Sequence, residues 1–486
     1  MATDVVVQPA SVIEPGALVD GWRLHEKLHV GGMAQLWSVT PEPGLPLPAT
    51  LAECANLALI MKIPRIKGGE DPASIVGFEV ERMIMPTLRG PHVPRYIARG
   101  DFTQQPYLVM ERIEGPSLAA QLLASPLPID EVARLGSLVA TALHDVHRQG
   151  LVHLDLKPSN VMLRPDGSAV LIDFGLSHHQ RLPDLLEEEF TLPMGTGPYM
   201  SPEQLHRQRD DPRSDLFALG VMLYHFTTGA RPFGAPESAR GLRRRLYIDS
   251  LPPRALRSDC PPWLQEVILT CLEVHPAERW QSAAQLALAL QDPTQITLTA
   301  RAQRMRRNGP VSRFTRWLKA IGDQAPSDKP QDSTAQLAHS AIVMAAIDVA
   351  HDSADFNDSL RETVRRILRT MPHARLACVS VMKTARIAMD VRVDEQGQSH
   401  HVKQLIALKH WARPIQKSLE LNDGRLTFHV LEAPDAATAI VEFAQRNHVD
   451  HIVMGAHGQS ALRRYLGSVS TQVVAQAPCS VTVARR

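Results

Sequence analysis

Hydrophobic positions change rhythm three times along this chain. From about residue 20, short apolar runs alternate with polar turns; 59-LIMKIP-64 and 107-YLVMERIEG-115 predict strands. Between them GFEVERMIM, with Glu81 in it, predicts a helix, and longer helix-like apolar periods continue to about residue 290. The rhythm is then lost. The run 301–333 is basic first and Pro/Ser/Asp-rich afterwards, with few core-forming residues, and predicts a linker. From about residue 338 apolar strands return as AIVMAAID, RLACVSV, RLTFHV, DHIVMG and CSVTVA, separated by amphipathic stretches such as NDSLRETVRRILRTM. That alternation predicts a doubly wound parallel sheet with helices on both faces. The expected organisation is a tail over 1–20, a first domain over 21–290, a linker over 291–337 and a second domain over 338–486.

Composition narrows the classes. A chain of 486 residues is long enough for two or three domains, each with its own core. A formal charge of +1 argues neither for wholesale nucleic-acid binding nor for an acidic solvating protein. Cys54, Cys260, Cys271, Cys378 and Cys479 are dispersed, without metal-like pairing, and read as reduced thiols. No apolar run approaches the roughly 20 residues that span a bilayer. The first residues lack a basic start followed by an apolar stretch, so a cytoplasmic protein without a membrane span is expected.

Candidate chemistry sits in the first domain. In 28-LHVGGMAQLW-37, Gly31 and Gly32 would let backbone amides approach an anion closely. Lys62 is a lone cation in an apolar strand; either Glu81 supplies its counter-charge or its tip is solvated at an edge. In 151-LVHLDLKPSNVML-163, Asp155 can accept a proton from a hydroxyl, Lys157 can neutralise phosphate charge, and Asn160 offers an oxygen to a hard cation. Asp173 opens DFG after the apolar run AVLI and offers a second oxygen. Groups that must converge from separate segments suit phosphoryl transfer, which works by positioning and charge neutralisation.

The order of these pieces resembles a bacterial, eukaryotic-like Ser/Thr protein kinase over about 270 residues. The resemblance runs through LHVGGMAQLW, LIMK, Glu81, YLVMERIEG, HLDLKPSN, DFG, GTGPYMSPEQ, DLFALG and HPAERW. It implies an α+β bilobal fold using ATP with Mg²⁺ or Mn²⁺ on protein Ser/Thr hydroxyls, with autophosphorylation. Lys62 would hold the phosphates and pair with Glu81. Asp155 would be the base, assisted by Lys157, and Asn160 and Asp173 the metal ligands. Leu28, Gly31, Gly32, Leu36, Met110, Glu111, Ile113 and Met162 would surround the nucleotide, Glu111 and Ile113 through their backbone groups. Glu203 would pair with Arg279 to hold the substrate lobe, and Thr191 and Thr196 would be candidate phosphosites in the activation segment 176–203.

Departures from the pattern bear on affinity and control. His29 and Ala34 replace glycines, and His29 would cost about 1–2 kcal/mol if a positive φ is required there. Ile60 stands where alanine is usual and narrows the roof over adenine. Leu154 replaces the arginine that would dock a loop phosphate, so activity is expected not to depend on one. The acidic run Glu187–Glu189 reads as a solvated loop face rather than a phosphate substitute. The competing reading, a pseudokinase or nucleotide-sensing scaffold, is opposed by Lys62, Asp155 and Asp173.

The basic stretch from Arg301 to Lys319 is read as a solvated connector, docked on a domain or free, rather than a nucleic-acid or anionic-membrane contact; Thr299, Ser312 and Thr315 in or beside it are candidate autophosphorylation sites. The last 145 or so residues resemble the universal stress protein family of nucleotide-binding modules. Gly455, Gly458, Gly467 and Ser468 follow that family's phosphate motif with one residue fewer in the last gap, and VAHDSAD after Asp348 lacks the usual Gly-Ser pair. Asp348, ending the first strand, is placed to bond a ribose or base edge. Two expectations stay open: a second nucleotide site, or a bare dimerisation or docking module, with the last strand CSVTVA as the homodimer contact.

Overall fold

The computed structural model describes residues 13–31, 34–43, 57–65, 72–100, 102, 105–236, 238–307, 309, 314–315, 317–318, 341–349, 354–384, 399–422, 424–456 and 467–485. An antiparallel sheet opens the chain, with β1 (Leu18–Val19), β2 (Trp22–Val30), β3 (Ala34–Pro41), β4 (Leu59–Pro64), β5 (Tyr96–Arg99) and β6 (Leu108–Glu111) in the order β1-β2-β3-β4-β6-β5. The period of two in LIMKIP decides which residue faces what. Leu59, Met61 and Ile63 bury against Trp22, Trp37 and Val109 on the outer face. Ile60 and Lys62 therefore point to the inner face, opposite Met110 and Leu108 of β6. Across that face lies α1 (Pro72–Ile84), in which every residue from Ile75 to Ile84 is buried. A helix buried all round must be packed on more than one side.

The second lobe is mostly helical. Its long helix α2 (Ile129–Arg148) buries Val132, Leu135, Val139, Leu143 and Val146 at helical spacing. Two small antiparallel pairs carry the polar loops: β7 (Leu151–Val152) with β10 (His178–His179), and β8 (Val161–Leu163) with β9 (Ala169–Leu171). The short helix α3 (Leu185–Glu189) starts on an Asp184 cap. Then come α4 (Arg213–Thr228), α5 (Pro262–Cys271) and α6 (Ala283–Gln291).

The basic stretch begins docked on α5. Buried Glu266 accepts from the Thr299 and Ala302 amides at 3.1 and 2.9 Å and from the Thr299 hydroxyl at 2.8 Å. Arg301 reaches Glu273 at 2.7 Å. Of the two expected forms of connector, residues 299–304 take the docked one, and Arg301 spends its charge inside the protein. Ser312 lies outside the described residues.

The C-terminal sheet is parallel throughout, in the order β13 (Leu426–Ala433), β12 (Arg375–Lys383), β11 (Ile342–Ala346), β14 (His451–Gly455), β15 (Ser480–Ala484). Alternate residues of β11 enter different cores: Val343 and Ala345 face one, Met344 and Ala346 the other. The first core is covered by α7 (Ala354–Thr370), through Leu360, Val364 and Leu368, and by α8 (His400–Leu419). The second is covered by α9 (Ala436–Arg446) and α10 (Ser468–Gln476). This is the doubly wound sheet expected from the strand–helix alternation. Among the described residues no helix is long and apolar enough to cross a membrane.

Candidate active site

The cleft between sheet and helical lobe gathers the predicted polar residues from five segments. Lys62 Nζ lies 2.6 Å from Glu81 Oε2 and 2.9 Å from Asp173 Oδ1. The solvated-edge reading of Lys62 is thereby excluded: its ammonium bridges α1 and the DFG segment. Burial would lower the Lys62 pKa, but the charges of Asp173 and Glu81 outweigh it and hold the amine cationic well above its ordinary range. Lys62 in turn holds Asp173 below the usual carboxylate range. Asp173 has a left-handed backbone, φ +68°, and its side chain is 44% exposed.

The second group forms around Asp155. Thr196 Oγ1 donates to Asp155 Oδ1 at 2.6 Å, and the Thr196 amide reaches the same oxygen at 3.0 Å. Lys157 Nζ sits 2.6 Å from Asp155 Oδ2 and 3.0 Å from Thr196 Oγ1. Asn160 Nδ2 donates to the Asp155 carbonyl at 3.0 Å and to Oδ2 at 3.2 Å. With its amide nitrogen committed there, the Asn160 carbonyl oxygen is the atom left for a cation. Among the described residues no cluster of three or more His, Cys, Asp or Glu could hold a metal. Mg²⁺ keeps several waters and takes only one or two protein carboxylates beside phosphate oxygens, so Asp173 with Asn160 is a fitting donor pair.

Below the site the loop is locked by its backbone. Buried Asp215 accepts from the amides of His153 and Leu154, both at 2.8 Å, and from His147 Nε2 at 2.8 Å. Gln204 Nε2 holds the Leu154 carbonyl at 2.8 Å. Leu154 is 4% exposed, with φ +61°. Glu203 takes Arg279 in a bidentate pair at 2.6 and 2.7 Å, as expected.

Around the nucleotide space, Leu36 lies opposite Lys62 and Ile60 opposite Met110, while Leu28 and Met162 are half-buried and Ile113 is buried. The Gly31 amide closes its turn on the Ala34 carbonyl at 2.9 Å; Gly32 lies outside the described residues. His29 sits in β2 and is not among the left-handed residues, so the expected strain does not arise. The Glu111 carboxylate turns from the nucleotide space to hold Arg164 in a bidentate pair. Gly115 follows with φ +126°; a Cβ there would lie 1.9 Å from the Leu163 carbonyl. Glycine is thus required where the connector crosses β8.

One reading of the activation segment changes. The Glu187–Glu189 run is not a solvated face: Glu188 and the Glu189 side chain are buried, and only Glu187 is exposed. The Thr196 hydroxyl is engaged by Asp155 and Lys157, whereas Thr191 is exposed. The sequence reading also missed an ionic anchor of the activation segment. Asp184 Oδ2 binds Arg209 Nε at 2.6 Å and His178 Nδ1 at 3.1 Å, and Arg209 Nη2 reaches the Leu176 carbonyl at 3.0 Å. An acid between DFG and GTG, with an arginine after the SPEQ helix, was the signal available.

A lysine bridging a helix glutamate and the DFG aspartate, above an aspartate attended by lysine, threonine and asparagine, is the arrangement characteristic of a protein kinase domain. Residues 64–290 match the protein kinase domain family and residues 340–485 the universal stress protein family. The chain therefore carries a protein kinase domain followed by a universal stress protein domain. Lys62 lies just before the matched span, so its place in the site rests on the geometry.

Curated relatives match about half of the chain. The serine/threonine-protein kinase PknL of Mycobacterium bovis is 30% identical over 232 residues, 48% of this chain and 58% of the relative. A probable serine/threonine-protein kinase PknB of Corynebacterium glutamicum is 28% identical over 283 residues, 56% of this chain and 42% of the relative. The chain thus spans less than two thirds of the length of these relatives.

Proposed function

We propose that the protein is a Ser/Thr kinase that transfers the γ-phosphoryl group of ATP, with Mg²⁺ or Mn²⁺, to protein hydroxyls, itself included, in bacterial stress or metabolic signalling. The carrying observation is the convergence of Lys157, Thr196 and Asn160 on Asp155, with Lys62 joined to both Glu81 and Asp173. In this reading Asp155 accepts the substrate hydroxyl proton, Lys157 offsets charge on the transferring phosphoryl group, and Lys62 orients the nucleotide phosphates. Asn160 and Asp173 would hold the cation, which would supply positive charge to offset that of the nucleotide phosphates. The relatives' names support Ser/Thr acceptors. Phosphate transfer from labelled ATP tests it: Asp155→Asn and Lys62→Met are each expected to lose about 10²–10⁴-fold in rate. Variants as active as the wild type would refute it.

For the second domain we propose a nucleotide site at the C-terminal ends of β11 and β14, where the strand order reverses. Open parallel sheets bind ligands at that crevice. Asp348 follows β11, Gly455 ends β14, and Gly467 with Ser468 opens α10, whose free amides suit phosphate; Gly458 lies outside the described residues. Equilibrium binding of labelled ATP to the full chain is expected to give two sites, falling to one in Ser468→Asp. One site in the wild type would remove the proposal. β15 is an outer strand of this sheet and the candidate contact for a second copy.

A further inference from the structure

The universal stress protein domain grips the part of the kinase on which its geometry depends. Glu79 and Glu81 lie two residues apart on α1, roughly 200° around the helix, so as Glu81 faces Lys62 the Glu79 carboxylate faces away from the cleft. There it accepts Lys409 Nζ from α8 at 3.1 Å through both oxygens, and Arg82 Nη2 at 3.0 Å. Lys409 is 5% exposed, and its ammonium also lies 5.1 Å from the Phe102 ring and 5.3 Å from the Phe428 ring. A lysine so deeply buried is tolerated only with a full set of partners.

A second grip falls on the activation segment. Arg375 of β12 binds Glu188 at 2.8 and 3.0 Å, and His429 of β13 lies 3.2 Å from Glu188 and 3.0 Å from Glu189. Between the two ionic clusters, Ile75, Val76 and Leu185 of the kinase meet Leu405, Leu426 and Phe428 around a cavity of only about 30 Å³. One apolar cluster runs unbroken from α1 through α3 into the second domain.

We propose that the outer face of α1 and α3 is the docking surface for this chain's own universal stress protein domain, which acts there as an activating clamp. This rests on the kinase reading above. In the docked state α1 stands where Glu81 meets Lys62, and the activation segment places Thr196 on Asp155. The named contacts all approach from the side of α1 opposite the cleft. Leu154 cannot recruit a loop phosphate, so the segment is fixed by Arg209 from within the kinase and by Arg375 and His429 from the second domain.

The test uses the full chain and reads phosphorylation of a generic Ser/Thr protein substrate at saturating ATP. Arg375→Glu and Lys409→Glu are each expected to lower kcat by about 5–150-fold, the usual span of coupling between sites. Hydrogen exchange should quicken in residues 72–84 while α2 stays protected. Glu188→Arg with Arg375→Glu restores opposite charges across the contact and should recover most of the activity. Unchanged or raised activity in the single variants, or a folded double variant without recovery, overturns the clamp. Should Arg375→Glu not fold, Lys409→Met keeps the packed stem and leaves Glu79 to Arg82, and unchanged kcat in that variant overturns it equally. Wild type against Asp155→Asn separates the two ideas. An inactive wild type refutes the kinase reading; an active wild type matched by the clamp variants refutes only the clamp.

Discussion

Leu154 shows how the catalytic loop is held without the arginine usual at that position. A non-glycine residue in the left-handed region costs about 1–2 kcal/mol, and this one persists because Asp215 accepts from the consecutive amides of His153 and Leu154. Replacing Asp215 with Asn turns an amino group toward one of those donors. Each buried donor left unpaired costs about 1–3 kcal/mol. Asp215→Asn is thus expected to lower stability in urea melts by that amount and to lower kcat, because Asp155 is the next residue along the loop. Asp184 makes a matching case for the activation segment. Burial would raise its pKa, but the His178 bond and the Arg209 charge bring it down to about 2. A depressed carboxylate adds stability that is present above the ordinary value of 3.8 and lost as pH falls through about 2. At neutral pH, Asp184→Asn should cost roughly 2 kcal/mol and slow phosphotransfer. A variant with unchanged melting and unchanged rate would show that the anchor is dispensable.

At the scale of elements, α1 is the piece whose position the proposed kinase activity depends on, and one close approach sets that position. A Cβ on Gly77 would lie 3.1 Å from the Gly175 carbonyl, and a Cβ on Gly175 would lie 3.2 Å from the Gly77 carbonyl. The helix and the DFG segment therefore touch backbone to backbone. Gly77→Val must push them apart and lengthen the Lys62–Glu81 contact. Its expected effect is a fall in kcat far larger than its fall in melting temperature; equal, small effects would argue that α1 has slack. The strand carrying Lys62 was legible in the sequence as the apolar run LIMKIP, but whether Lys62 faced Glu81 or a solvated edge was open until the structure set it on the inner face. The parallel sheet was legible from apolar strands alternating with amphipathic helices. Glu79 was not. Its partner Lys409 stands 330 residues along the chain, and no local periodicity reports a contact at that range. Glu188 and Glu189 failed similarly: three acids in a loop look solvated until a second domain brings Arg375 and His429 over them.

For the whole molecule, the contact between the two domains should depend on pH with a sign that His429 sets. Burial alone would lower its pKa, but bonds to Glu188 and Glu189, with their charges, outweigh burial and raise it to about 9. The groups around it are those two glutamates from α3, Arg375 from β12, which shares Glu188, and Thr427 from its own strand at 3.0 Å. A histidine whose folded pKa is raised adds stability that is fully present below its ordinary value of 6.5 and is lost as pH climbs through about 9. Glu188, held below its ordinary value by Arg375 and His429 against the opposing effect of burial, adds stability lost only in acid. Docking should therefore be firmest in mildly acidic solution and loosen steadily toward alkaline pH, by an amount on the order of 3 kcal/mol across the window. His429→Gln keeps a hydrogen-bond donor without the proton equilibrium. The stability read from urea melts of the full chain, and protection from hydrogen exchange at residues 72–84, should fall from pH 6.5 to 9 in the wild type and stay flat in His429→Gln. Parallel pH profiles for the two proteins would mean that the imidazolium does not hold the domains together, and that Lys409 and Arg375 carry the contact without it.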